Sequence, residues 1–178
     1  IVTLTTNLDA DLDTPGIQES APIVIELLDD EEPLSVQNFL SYLNSEYIGT
    51  FFHRAGADFV VQGGGFKATT PDTHIPTPFD LHNEFDPSRS NVEGTIAMAK
   101  TGLGPHTATS EWFINLKDNL NLDGANGGFT VFARVISGMD VVKRISELPY
   151  FNVADDGTGV PVQNYDPDPD FNPNTPPP

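Results

Sequence analysis

Residues 1–5 are β-branched and alternate in polarity, which predicts a strand. Residues 7–20 are acidic with Pro15-Gly16 in the middle, and read as a long exposed loop. A second apolar run at 21–28 predicts another strand. Pro33 suits the first turn of a helix, and Val36, Phe39, Leu40 and Leu43 follow at helical spacing, so a helix is expected over 33–44. Residues 51–66 form two short β-prone runs that end in the glycine triplet Gly63-Gly64-Gly65. Residues 67–91, rich in Pro, Asp and Thr, read as irregular connection. Strands are expected at 95–99 and 112–116 around a Gly/Pro/Thr loop at 100–110. A turn-rich stretch at 119–128 precedes a strand at 129–135. Gly138-Met139-Asp140 opens a second helix with Val141, Val142 and Ile145 on its apolar face. Residues 160–165 are a candidate last strand. Many short strands with two helices imply a mainly β domain, closed or nearly closed and capped by the helices. Phe39, Phe66, Trp112 and Phe132 read as core. Residues 166–178 alternate Asp, Asn and Pro and carry too little apolar surface to order themselves. The expected organisation is one domain over 1–165, then a tail or linker at 166–178, with no internal repeat.

Composition narrows the partners. A net charge of -18 makes nucleic acid an unsuitable partner, because a binder must offer Lys and Arg to phosphates. The same excess favours a soluble monomer at some cost in self-repulsion. Absence of cysteine excludes disulfides, thiol catalysis and zinc–cysteine sites. No apolar run approaches the roughly 20 residues of a membrane span. The chain opens at Ile1 rather than Met, so a processed or trimmed product is expected. These hints together point to an exported bacterial protein, periplasmic or extracellular, with the cytoplasm as the alternative.

The chemistry concentrates in 51–66. If the two runs pair as neighbouring strands, Arg54 and Gln62 meet above an apolar floor that includes Phe59. His53 reads as a hydrogen-bonded structural residue rather than an acid or base. Alternating carboxylates at Asp9, Asp11 and Asp13 invite a calcium reading. Thr14 and Ser20 stand where that loop pattern requires Gly and Glu, so a solvated acidic loop is the better reading. The four histidines lack zinc spacing, and the glycine runs lack the Lys-Ser/Thr of a phosphate loop.

Phe52-His53-Arg54, Gln62-Gly63-Gly64-Gly65-Phe66, Gly94-Thr95-Ile96-Ala97-Met98-Ala99, Ser110-Glu111-Trp112-Phe113-Ile114-Asn115 and Phe129-Thr130-Val131-Phe132 occur in the order found in cyclophilins. The stretches from Ser35 to Leu40 and from Gly138 to Val142 resemble the two helices of that family. The resemblance covers residues 1–148. It implies an eight-stranded antiparallel closed β-barrel capped by two α-helices, and peptidyl-prolyl cis-trans isomerase activity without a cofactor. The barrier to such a rotation is roughly 18–20 kcal/mol, set by amide resonance. By resemblance, Arg54 is the catalytic arginine and Gln62 orients it and the substrate. Phe59, Val60, Phe113 and Leu122 form the proline pocket. Ala99 and Lys100 present the backbone segment that pairs with the substrate. The implied partners are proline-containing peptides and unfolded or folding proteins.

Several positions depart from the pattern of the family. Glu111 stands where Gln is usual, Asn121 where an aromatic is usual, and Phe129 where His or Tyr lines the pocket. Val60 replaces a larger Met or Leu. Asn121 removes the residue associated with tight cyclosporin binding, so weak binding is expected. Glu111 either pairs with Arg54 and partly quenches it, or draws basic peptides. The rival readings are a proline-peptide binding or scaffolding domain with weak or lost isomerase activity, and a folding helper whose acidic surface keeps clients soluble.

Overall fold

In the computed structural model, which describes residues 1–9, 20–148, 150–152 and 159–161, the chain opens with two antiparallel strands, β1 (Val2–Asp9) and β2 (Ser20–Leu27). Helix α1 (Pro33–Leu43) begins with Pro33 in its first turn, where no amide hydrogen is needed. Its N-terminal donors are satisfied from a distance. Glu84 accepts from the Leu34 and Ser35 amides at 3.0 and 2.7 Å, and from Ser35 Oγ at 2.7 Å. The buried face carries Val36, Phe39 and Tyr42, whereas Leu40, expected on it, is exposed.

Strands β3 (Arg54–Ala55) and β4 (Val60–Gly63) form the expected pair. In the turn between them the Gly56 amide donates to Val60 O at 3.0 Å, and Asp58 adopts φ 55°. The segment 67–91 is less irregular than expected: β5 (Phe66–Lys67) and β6 (Thr70–His74) make a separate two-stranded sheet. Phe66 is half-buried there, with its ring edge-on to His53 and His74, and does not join the core. Strands β7 (Thr95–Lys100) and β8 (Ala108–Asn115) pair over more residues than the pattern indicated, so their loop shrinks to 101–107. A one-turn helix α2 (Asn121–Gly124) and a 3-10 turn (Ala125–Gly127) occupy the turn-rich stretch. Strand β9 (Val131–Ser137), helix α3 (Met139–Glu147), β10 (Tyr150–Asn152) and β11 (Gly159–Pro161) complete the described chain.

The main sheet is antiparallel in the order β1-β2-β9-β7-β8-β4-β3-β11-β10. Among the described residues it has nine strands rather than eight. Among the described residues no pairing joins its end strands β1 and β10, so the barrel is a curled sheet rather than a closed one. Among the described residues three α-helices accompany it instead of two, the additional one being the single turn α2. Residues 162–165 of the expected last strand, the acidic segment 10–19 and the tail at 166–178 lie outside the described residues.

Successive side chains of a strand point to opposite faces, so a strand buried on both faces feeds two apolar clusters. Strand β7 sends Ile96 and Met98 into the main core and Ala97 and Ala99 to the other face. Strand β8 divides Trp112 and Ile114 from Phe113 in the same way, and β4 divides Val61 from Val60. In β9 the register slips, so Val131 faces Ala97, Ala133 faces Ile96, and Phe132 is the extra residue of a bulge. Phe132 and Ala133 therefore both enter the core, which α1 and α3 cover with Val36, Phe39, Val141, Val142 and Ile145.

Candidate active site

Three of the predicted site residues, Arg54, Gln62 and Phe113, lie on one line that crosses five strands. Arg54 opposes Gln62, Gln62 opposes Phe113, Phe113 opposes Ala97, and Ala97 opposes Val131. Residues directly opposed in a sheet share a face. The line thus starts at a guanidinium, passes an amide and continues over apolar side chains. Val60, Ala97, Phe113, Leu122 and Val131 form one buried cluster, with Leu28, Phe59, Ala99 and Phe129 packed against it. Ala97, Val131 and Leu28 were not among the expected site residues. For Ala97 and Val131 the signal lay in the strand register, which the sequence does not display.

At the polar end, Arg54 Nη1 donates to Gln62 Oε1 at 3.4 Å, and the Arg54 guanidinium lies 5.6 Å from the Phe59 ring centre. Gln62 Nε2 donates to Glu111 Oε2 at 2.6 Å. Glu111 also meets His53 Nε2 at 3.3 Å and His74 Nε2 at 2.8 Å. Gln62 therefore stands between Glu111 and Arg54. Burial alone would raise the Glu111 carboxyl, but the hydrogen bonds from His53, Gln62 and His74 and the nearby His53 charge outweigh it and hold the group at about 2. Two glycines make room here. A Cβ on Gly65 would sit 2.8 Å from Glu111 Oε1. Gly64, at φ 82°, approaches Ser110 O so closely that a Cβ would lie 2.6 Å away. His53 fits its expected structural role only in part, since its Nδ1 is buried with no hydrogen-bond partner.

The apolar end is held by a chain of buried amides that sequence reasoning did not single out. Asn119 Nδ2 donates to Phe59 O and to Asn115 Oδ1, both at 2.9 Å. Asn115 Nδ2 donates to Asn91 Oδ1 at 3.2 Å, and Asn91 Nδ2 donates to Phe129 O at 3.0 Å. The backbone at both Phe59 and Phe129 is thereby tied to the sheet. The Phe113 and Phe129 rings meet edge-on at 5.7 Å.

Lys100 leaves the end of β7 and donates to Asn126 O at 2.8 Å and Gly128 O at 2.6 Å, with its ammonium 4.7 Å from the Phe129 ring centre. Burial lowers its pKa. Asn121 is exposed at the start of α2 and stands apart from the apolar cluster, while its neighbour Leu122 is buried within it. A cavity of about 780 Å³, lined by residues including Leu4, Leu43, Phe52, Gly64 and Trp112, is separate from this line of residues. Among the described residues no group of three or more His, Asp or Glu is arranged to hold a metal ion. Nor is any described helix long and apolar enough to cross a membrane.

A family model described as cyclophilin type peptidyl-prolyl cis-trans isomerase matches residues 12–166. A peptidyl-prolyl cis-trans isomerase of Acinetobacter baylyi is 43% identical over 130 residues, covering 71% of this chain and 68% of that protein. One from Streptomyces antibioticus is 47% identical over 130 residues, covering 69% and 76%. The Escherichia coli peptidyl-prolyl cis-trans isomerase B is 43% identical over 129 residues, covering 69% and 77%. Among solved structures, a cyclophilin type isomerase of Cryptosporidium parvum, crystallised in the presence of the dipeptide Ala-Pro, superposes with a TM-score of 0.62. It is 23% identical and covers 79% of this chain and 85% of its own.

Proposed function

The chain belongs to the cyclophilin-type peptidyl-prolyl cis-trans isomerases, and from that premise we propose how its own residues turn an X-Pro bond. The reaction makes and breaks no covalent bond. It requires the loss of amide resonance, and the twisted amide must be bound more tightly than either planar form. In the twisted state the prolyl nitrogen regains a lone pair. The Arg54 guanidinium donates to that lone pair, an interaction unavailable in the planar forms. Phe59, Val60, Phe113, Leu122 and Phe129 hold the proline ring. Gln62 orients Arg54, and the backbone at Ala99 and Lys100 pairs with the substrate as an added strand. The substrates are proline-containing segments of peptides and of folding proteins.

The observation that carries this reading is the cross-strand line from Arg54 through Gln62 to Phe113, Ala97 and Val131. It sets a cationic donor at the end of an apolar strip. Removing a donor aimed at a transition state costs about 10²–10³-fold in turnover. Arg54→Ala is expected to lose that much in a protease-coupled or NMR exchange assay on a proline peptide, with an unchanged circular dichroism spectrum. Turnover within twofold of the wild type would overturn the assignment.

Asn121 is exposed and adds no aromatic wall to the groove, which supports weak cyclosporin binding. A nanomolar affinity in a titration would refute this. The charge of -18 and the lack of cysteine support a monomer working outside the cytoplasm. Light scattering and cell fractionation check these two points, and a dimer or a cytosolic pool counts against them.

A further inference from the structure

We infer that Glu111 is a positioning residue that sets the orientation of the Gln62 amide, and through it the aim of Arg54. The inference rests on the role proposed above for Arg54. An ionised carboxylate can only accept hydrogen bonds, whereas a glutamine amide offers an acceptor at one end and donors at the other. Glu111 Oε2 lies 2.6 Å from the Gln62 amide, so the NH2 end of Gln62 must face Glu111. Only one orientation remains, and it leaves Oε1 turned to Arg54, 3.4 Å from Nη1. A glutamine at position 111 would satisfy Gln62 in either orientation. In the flipped state the NH2 end would face the guanidinium, donor against donor, and Arg54 would lose its bond to Gln62.

The surroundings keep Glu111 in this role. Its second oxygen, Oε1, is held at 2.8 Å by His74 Nε2, and the Nδ1 of that ring lies 2.8 Å from Ile75 O. Both His74 nitrogens thus face acceptors, so the ring acts as a brace between β6 and β8. His53, the residue just before β3, brings its Nε2 to 3.3 Å from Oε2. The absent side chain of Gly65 opens the space into which the carboxylate fits. Glu111 thereby acts on Arg54 through the Gln62 amide that lies between them.

The test is a double-mutant cycle. Glu111→Gln keeps shape and size, and is expected to lower kcat about fivefold per folded molecule with KM within twofold. In a Gln62→Leu background, whose own turnover is already reduced, adding Glu111→Gln should change nothing further. An equal loss in both backgrounds, or no loss with Gln62 present, would overturn the inference. Should Glu111→Gln fail to fold, Glu111→Asp carries the same cycle. It retracts the carboxylate by one methylene, and a twofold to threefold loss is expected only with Gln62 present. Arg54→Ala run in parallel separates the two ideas. If that variant stays active, the catalytic reading itself fails. If it is inactive while the cycle shows no coupling, only the role of Glu111 fails.

Discussion

The two faces of the main sheet use the same strands for different ends. On one face Ile96, Met98, Trp112, Ile114 and Phe132 are sealed under α1 and α3. On the other, Ala97, Phe113 and Val131 form a smaller floor beside the half-buried Phe59 and Phe129, with Arg54 and Gln62 at one end. Phe113 and Ile114 are neighbours in sequence, both apolar and both buried, at 4% and 0% exposed. Burial alone would assign them one role. The pleat assigns them two, because each step along the strand crosses from the main core to the smaller cluster.

This contrast breaks down if neighbouring substitutions behave alike. Ile114→Ala opens a cavity in the sealed face and is expected to cost about 2–5 kcal/mol in chemical denaturation. The folded fraction should keep its turnover per molecule. A loss of turnover beyond the loss of folded protein would show that the faces are not separable.

The polar end of the groove face makes the next largest contribution. The Glu111 carboxyl sits at about 2 against an ordinary 4.5. A depressed carboxyl stabilises the fold above its unfolded pKa, and the gain is lost as pH falls through the folded value. Between about pH 4.5 and pH 2 the wild type should lose on the order of 2 kcal/mol more than Glu111→Gln. Parallel acid-unfolding curves would remove Glu111 from the account.

Phe113→Leu should show the smallest effect and the most selective one. The exchange is close in volume and is expected to cost less than about 1.5 kcal/mol in stability. Loss of the flat ring that meets Phe129 should reduce kcat/KM about tenfold. Unchanged kcat/KM would remove Phe113 from the proline-binding floor.

Much of this was legible in the sequence because the signals are local. The 33–44 helix pattern appears as α1, and the runs around Arg54 and Gln62 appear as paired strands in the expected register. The apolar runs of β7 and β8 also announced themselves, although their length hid which residues face which way. An unbroken run such as Ile96-Ala97-Met98 carries no alternation, because both faces of its strand are apolar. The β5–β6 hairpin escaped notice because its partners are short and rich in Thr, Pro and Asp, types that also fill loops.

By itself, then, the sequence determined the mainly β class, the two longer helices, the family resemblance and the meeting of Arg54 with Gln62. Those follow from short-range patterning and ordered motifs. Tertiary structure alone decided what Glu111 meets. Its sequence position offered pairing with Arg54 or attraction of basic peptides. The fold instead brings His74, 37 residues away, and Gln62, 49 residues away, against the two carboxylate oxygens. Which acceptor meets which donor is fixed by strand register and by the space left at Gly65, and neither is written in any local stretch of the chain.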